Sequence, residues 1–354
     1  MSGRLQSLWS SLTPVSVLLL PLAGLFAGVV WLRRQAYLRG WRPSFAVGVP
    51  VFVVGNITAG GSGKTPMVIW LVNWLIEQGL RPGVVSRGYG GDARGCVEVE
   101  VGSHPAVVGD EPLLIHTKTQ VPVVVGRDRV AAARALLDRH PEVNILVSDD
   151  GLQHYRLQRQ LELAVVDART GWGNKLPLPA GPLREPVSRL KTVDALIRID
   201  RGDGVTRVIP QPHYQAAYTL GKAYALLTPS HRIDPVDVPP GPWLAVTGIG
   251  NPEGFFAMLN QLGWSFKRKI FPDHHRFQSS DISGGMRVVM TEKDAVKCYP
   301  FARPDWWAIA LEVNPEAEFI AFLRAKIQLY CPQLPGAVTT HSLQPQSLYL
   351  ESAR

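Results

Sequence analysis

Short apolar runs alternate along the chain with longer stretches in which apolar residues return every three or four positions. VPVFVVG (49–55), PGVVSRG (82–88), VPVVVG (121–126), VNILVSDDG (143–151) and LELAVVDA (161–168) are short and rich in valine, which predicts buried strands. MVIWLVNWLIEQG (67–79) has helical spacing and ends at a glycine, so it predicts a helix. Alternating units of this kind imply a mostly parallel sheet with helices on both faces. The rhythm loosens into proline and glycine between about 200 and 240, a linker with room for a strand at AYTLGKAYALLT (217–228). A second α/β rhythm then follows in PWLAVTGIG, NPEGFFAMLNQLG, MRVVMTEKD and WWAIALEV, with a last helix near 315–330. The predicted division is a nucleotide-binding domain over 43–215, a linker or hinge over 216–241, a smaller α/β domain over 242–333 and a poorly ordered tail over 334–354.

The N-terminal pattern differs. No charged residue lies between Leu5 and Leu32, and VSVLLLPLAGLFAGVVWL (15–32) is 18 residues of nearly continuous apolar character, at the lower limit of about 17 for crossing a bilayer. Arg33, Arg34, Arg39 and Arg42 follow it and only Arg4 precedes it, which puts the rest of the chain on the cytoplasmic side. A cleaved signal peptide would carry its charge in front. The expectation is a membrane-associated helix over 1–42, either spanning the bilayer or lying in its interface beside anionic head groups. Trp9, Trp31 and Trp41 around the apolar run suit the interface region.

The length of 354 residues suits roughly two domains. Lysine and arginine number 37 against 29 acidic residues, a net charge of +8, which favours phosphate-bearing partners without choosing among them. No aromatic-basic module for nucleic acid is present, so that class is set aside, and nothing implies a protein partner. Cys96, Cys298 and Cys331 are odd in number and far apart, so they read as reduced and structural.

TAGGSGKTP (58–66) follows the first predicted strand directly. A phosphate loop needs converging backbone N–H groups, a helix N-terminus behind them, a lysine for the β/γ oxygens and a hydroxyl for Mg²⁺. Gly60, Gly61 and Gly63 permit close backbone approach, Lys64 and Thr65 supply charge and metal contact, and Thr58, Ala59 and Ser62 complete the loop. Pro66 suits the first helical turn. The pattern G-x-x-x-x-G-K-[ST] departs only at Thr58, where the usual glycine eases a turn and does not touch the chemistry. The loop therefore predicts ATP-type binding with Mg²⁺, and leaves the reaction open.

Several reactions fit such a loop. AGGSGKT approaches the K-G-G-x-G-K-T loop of switch ATPases, with Ala59 in place of the signature lysine, so a membrane-associated ATPase switch without a small-molecule acceptor stays as the alternative. A GTPase would need N-K-x-D, and in Thr291-Glu292-Lys293-Asp294 the lysine stands one position too late. Asp149 and Asp150 close a strand as carboxylates that hold Mg²⁺ or its waters do, while Asp167 reads as structural. VGDEP places Asp110 and Glu111 at a strand end or loop. FPDHHRF (271–277) sets Asp273, His274 and His275 between aromatic residues. A kinase needs a carboxylate near the acceptor hydroxyl, and a histidine beside it can orient the base.

In chain order, GNITAGGSGKTP (55–66), SRGYGG (86–91), VGDEP (108–112), DDGLQH (149–154), LPAGPLREP (178–186), FPDHH (271–275) and TEKDAVK (291–297) resemble the tetraacyldisaccharide 4'-kinase family over residues from about 10 to 330. The resemblance implies a P-loop NTPase-like α/β fold of two domains closing on MgATP at the cytoplasmic face of a Gram-negative inner membrane. It implies ATP and Mg²⁺ as co-substrate and metal, and a phosphorylated lipid A disaccharide precursor, acylated and membrane-held, as acceptor. By motif, Asp110 would be the catalytic base with His274 or His275 beside it, His274 being favoured, and Lys64 would stabilise the β/γ charge. Thr65, Asp149 and Asp150 would serve Mg²⁺, and Arg87, Tyr89, His154 and Arg184 would face the glycolipid. Where the family often has an aromatic residue before Gln153, this chain has Leu152.

Overall fold

The computed structural model describes residues 8–60, 63–202, 204–238, 241–250 and 252–332. The tail expected over 334–354 lies outside them, as do Gly61 and Ser62 of the phosphate loop.

Thirteen strands among the described residues form one sheet. They are β1 (Val51–Gly55), β2 (Pro82–Ser86), β3 (Val97–Glu98), β4 (Val123–Val125), β5 (Ile145–Asp149), β6 (Leu161–Asp167), β7 (Ala195–Asp200), β8 (Tyr214–Ala225), β9 (Thr228–Ile233), β10 (Trp243–Thr247), β11 (Phe266–Ile270), β12 (Arg287–Thr291) and β13 (Trp306–Pro315). The order is β11-β10-β12-β13-β8-β7-β6-β1-β5-β2-β4-β3, with β9 paired to β8. Neighbours run parallel except β3 with β4, β8 with β13 and β8 with β9. The chain is a mixed α/β protein on a largely parallel sheet.

β1 shows why the valine-rich runs become central strands. Phe52 and Val54 enter one core with Leu71, Val147, Val165 and Leu323, while Val51 and Val53 enter the opposite core with Leu136, Leu146, Leu152 and Trp172. Both faces are buried, so the period-two alternation is invisible in the sequence and the run is apolar throughout. The helix Lys64–Glu77 returns over the first face, burying Met67, Val68, Leu71, Val72 and Leu75 at helical spacing.

The stretch read as a linker contains most of β8 and all of β9. Ile197 to Asp200 of β7 pair with Tyr214 to Ala217, and β13 pairs with β8 from Ala216 to Ala225. Register shifts between Ile309 and Leu311, a bulge opposite Gly221 and Lys222. The last helix, Ala317–Tyr330, buries Phe319, Leu323 and Ile327 against the face that carries Phe52.

The apolar N-terminal run is two helices, Pro14–Leu18 and Leu20–Leu38, which meet at Leu19 with Pro21 in the first turn of the second. That break, together with Arg33 and Arg34 inside the second helix, leaves no helix among the described residues long and apolar enough to cross a membrane, so the spanning alternative is corrected. Leu12, Leu18, Leu25, Leu32, Trp31 and Trp41 are all more than half exposed. Trp9 is buried instead and donates from Nε1 to the Pro179 carbonyl at 3.0 Å, because its indole closes the 172–183 loop region.

Candidate active site

The phosphate loop leaves β1 and is gripped from the side by the segment 182–185. Ala59 N donates to the Pro182 carbonyl at 2.7 Å, Arg184 N donates to the Ile57 carbonyl at 2.7 Å, and Thr58 forms an antiparallel bridge with Leu183. Thr58 thus occupies extended backbone where a β-carbon fits, which accounts for the missing first glycine. Gly60 and Gly63 have φ of 109° and 81°, the region glycine reaches without strain. Gly63 caps the helix that begins at Lys64, so the positive end of its dipole lies at the loop.

Asp149 and Asp150 lie beside that helix start. Asp150 has φ of 48° and accepts from Arg184 Nη1 at 3.1 and 2.8 Å, with Lys64 Nζ 3.6 Å away. Burial opposes its charge, but Lys64 and Arg184 hold its carboxyl far below the usual carboxylate range. Asp149 is fully enclosed: Oδ2 accepts from Ser86 Oγ at 2.8 Å, and Oδ1 has no hydrogen-bond partner. Burial first, then the charges of Glu111 and Asp150, push Asp149 up to about 7. A carboxylate oxygen left without a hydrogen-bond partner is the kind of hard oxygen donor a divalent cation takes. No cluster of three or more His, Cys, Asp or Glu with metal-holding geometry exists among the described residues.

Asp110 sits differently from the sequence expectation. It is the first residue of the helix Asp110–Thr119, capped by Gly109, so Asp110 and Glu111 occupy a first turn and not a strand end or loop. Carboxylates there are favoured by the helix dipole, and Pro112 fits a turn that needs no N–H. A β-carbon on Gly109 would come within 2.8 Å of the Tyr89 carbonyl, so the glycine is required for this approach. From the far half of the sheet, His274 Nδ1 lies 3.1 and 3.0 Å from the two Asp110 oxygens. His274 has φ of 60°, a left-handed kink that turns its ring towards Asp110 while the next residue points away.

That next residue, His275, is not part of the pair. Its Nε2 is 2.9 Å from Asp281 Oδ2, and its ring stacks on Phe271 at 4.5 Å and meets Phe277 edge-on at 4.9 Å. His275→Ala is therefore expected to cost about 1–2 kcal/mol of stability and to leave the rate within about tenfold of normal, since it removes no general base; a melting curve and a rate measurement check both. A rate loss matching that of His274→Ala would contradict it.

The four residues assigned to the acceptor divide. Tyr89 is exposed and packs edge-on against His274 at 5.2 Å. Arg87 is exposed at the end of β2 and electrostatically close to both Arg129 and His154. His154 is pushed down to about 3 by burial and by Arg129, Arg87 and Arg33, so it is a neutral donor or acceptor at neutral pH. Arg184 is committed to Asp150. Gln153 holds the DDGLQH loop in place by donating to Asn56 O at 3.0 Å and to Glu185 Oε2 at 2.8 Å.

Sequence reasoning passed over three residues. Arg129 is buried, donates from Nη1 to Gly126 O at 2.5 Å and reaches Asp149 O at 3.4 Å. Lys293 and Lys297 reach Asp110 Oδ2 at 3.9 Å each. Their four-residue spacing in TEKDAVK, which sets them on one helix face, was the available signal. Asp167, read as structural, pairs with Arg201 at 2.7 Å.

Comparisons with known proteins agree with one another. The sequence profile of the Tetraacyldisaccharide-1-P 4'-kinase family matches residues 15–328. A Tetraacyldisaccharide 4'-kinase of Thiobacillus denitrificans is 59% identical over 324 residues, covering 91% of this chain and 98% of the relative. One from Azoarcus sp. is 48% identical over 309 residues, covering 85% and 89%. The crystal structure of LpxK from Aquifex aeolicus in complex with ATP superimposes with a TM-score of 0.76 at 26% identity, covering 89% of this chain and 99% of that one. On a family match that runs over most of its length and a relative 59% identical to it, this chain belongs to the Tetraacyldisaccharide-1-P 4'-kinase family.

Proposed function

We propose that this chain is an ATP-dependent lipid kinase that transfers the γ-phosphate of ATP to the 4'-hydroxyl of tetraacyldisaccharide 1-phosphate in lipid A biosynthesis. The observation that carries the reading is the Asp110–His274 pair, held at 3.0 Å, with Glu111 of the same helix turn close enough to act electrostatically on Asp149. A switch ATPase has no use for such a pair.

In the reading offered here, the loop residues Thr58, Ala59, Gly60, Gly61, Ser62, Gly63, Lys64 and Thr65 wrap the triphosphate, Lys64 countering charge at the β/γ bridge. Thr65, Asp149 and Asp150 would hold Mg²⁺, which when bound screens the phosphate oxygens. Asp110 aims the acceptor hydroxyl and takes its proton, with His274 fixing the carboxylate. The hydroxyl oxygen bonds to the γ-phosphorus, the bond to the β–γ bridging oxygen breaks, and ADP leaves with the electron pair. Tyr89, Arg87 and His154 line the acceptor side. Arg184 would join them once the triphosphate draws Lys64 and Asp150 into new contacts.

The bodies 43–215 and 242–333 are proposed to close on MgATP about the 216–241 ribbon. The segment 1–42 is proposed to lie on the cytoplasmic face of the inner membrane; its row of exposed leucines and tryptophans supports this. A four-chain acceptor leaves the bilayer at a cost of about 0.8 kcal/mol for each buried CH₂, so the enzyme has to come to it.

The deciding experiment is transfer of labelled γ-phosphate from ATP to purified tetraacyldisaccharide 1-phosphate in detergent micelles. Labelled lipid is the expected outcome; ATP hydrolysis without labelled lipid would sink the kinase reading and favour the switch.

A further inference from the structure

We propose that Lys293 and Lys297 are positioning residues for the transfer, whose ammonium groups keep the Asp110 carboxylate ionised and aimed at His274. The inference rests on Asp110 acting as the proton acceptor.

Both lysines come from the helix Glu292–Cys298, which packs from the second half against the helix Asp110–Thr119 of the first. Lys293 Nζ lies 2.8 Å from Glu111 Oε1, 3.9 Å from Asp110 Oδ2 and 3.8 Å from Asp273 Oδ1. Lys297 Nζ lies 2.8 Å from Asp294 Oδ1, 3.9 Å from Asp110 Oδ2 and 4.9 Å from the centre of the Phe277 ring. Asp294 is itself pinned, accepting from Thr247 Oγ1 at 3.1 Å, Gly248 N at 3.0 Å and Thr291 Oγ1 at 2.8 Å. Lys297 is therefore anchored at its back, and Lys293 is anchored by Glu111. Each is held just beyond hydrogen-bond contact with Asp110. At that distance a buried ammonium stabilises the anion without occupying the lone pairs that an acceptor hydroxyl needs.

The charged groups facing Asp110 are thus Lys293 and Lys297 from one element, His274 with Asp273 behind it from the 271–277 loop, and Glu111 from its own helix. Burial alone would raise Asp110, but Lys293, His274 and Lys297 outweigh it and hold Asp110 at about 2. Lys293 stays charged, since Glu111, Asp110 and Asp273 overcome its burial and push it well above the usual lysine value. A helix of one half setting the charge on the base of the other is a device distinct from the Asp–His contact itself.

The test is the pH profile of kcat/KM for lipid phosphorylation in Lys293→Met, Lys293→Arg and the unaltered protein, with ATP affinity measured in parallel. Removing one cation lets the folded pKa of Asp110 climb, so the acid limb should move to higher pH. The loss should grow as pH falls, the loss near pH 4 exceeding the loss near pH 8 by about threefold, and Lys293→Arg should restore the limb. A loss equal at all pH values, or no loss, overturns the proposal. If Lys293→Met loses ATP affinity, Lys297→Met is judged by the same criterion. Asp110→Asn separates the layers: if it keeps normal transfer, the reading of Asp110 fails; if it is inactive while the lysine variants leave the limb unmoved, only the present inference fails.

Discussion

Asp110→Asn should bind ATP with near-normal affinity and transfer its γ-phosphate roughly a thousandfold more slowly, the middle of the range for loss of a positioned general base. The substitution keeps the shape of the side chain and its contact with His274 Nδ1, now 3.0 Å from a carboxylate oxygen, and removes only the negative charge. Two ammonium groups 3.9 Å away then face a neutral amide, an arrangement that also repels the departing proton. In a loose phosphoryl-transfer transition state the nucleophile's proton leaves late, so a carboxylate held at about 2 contributes through aim and charge more than through basicity. The sign of the stability effect follows from the same shift. A carboxylate depressed below its unfolded value contributes stability that is fully present above about pH 4 and is lost as pH falls through about 2. Asp110→Asn should therefore flatten the acid side of the stability curve while destabilising the protein at neutral pH. Equal kcat for the variant and the parent at pH 7.5 would remove Asp110 from the chemistry.

Lys64→Ala is expected to lower kcat by about three orders of magnitude, comparable to loss of a preorganised charge at the developing transition-state anion. Lys64 is the first residue of its helix and is buried, with its ammonium 3.6 Å from Asp150. It neutralises Asp150 together with Arg184; in the proposed nucleotide complex the same ammonium would turn to the β/γ oxygens. Arg184 keeps Asp150 paired in the variant, so the fold should survive and the loss should fall on turnover. Lys64→Arg should recover little, because a planar fork cannot replace a compact point charge in a loop shaped around it. A variant that turns over ATP and lipid within tenfold of the parent would show that the loop lysine is dispensable.

The parts of this molecule legible in the sequence were those where one physical constraint dominates. Central strands such as β1 and β5 are buried on both faces and appear as unbroken valine runs. β7 and β11 were passed over for the opposite reason. ALIRID carries Arg198 and Asp200, which pair with each other at 3.5 Å on a half-buried face. FKRKI is the outer strand of the sheet, where lysine and arginine guard an open edge. The phosphate loop was readable because its steric demands fall on glycine. The choice between His274 and His275 was not, because it depends on a single left-handed residue that sends two adjacent imidazoles in opposite directions. Nor was the role of Lys293, which appears only when two helices far apart in sequence are laid side by side.

The bulge where β13 meets β8 has a mechanical consequence. The two halves are joined by main-chain hydrogen bonds along a strand that belongs to both, so relative displacement cannot be absorbed by slack chain. It has to be taken up as torsion in a ribbon, and a bulge is where a ribbon twists most readily. Opposite it, Gly221 lies so close to the Glu312 side chain that a β-carbon would collide with it, which leaves that point of the ribbon thin. The connection therefore has one defined section, at the bulge and Gly221, where any twist between the two halves would concentrate.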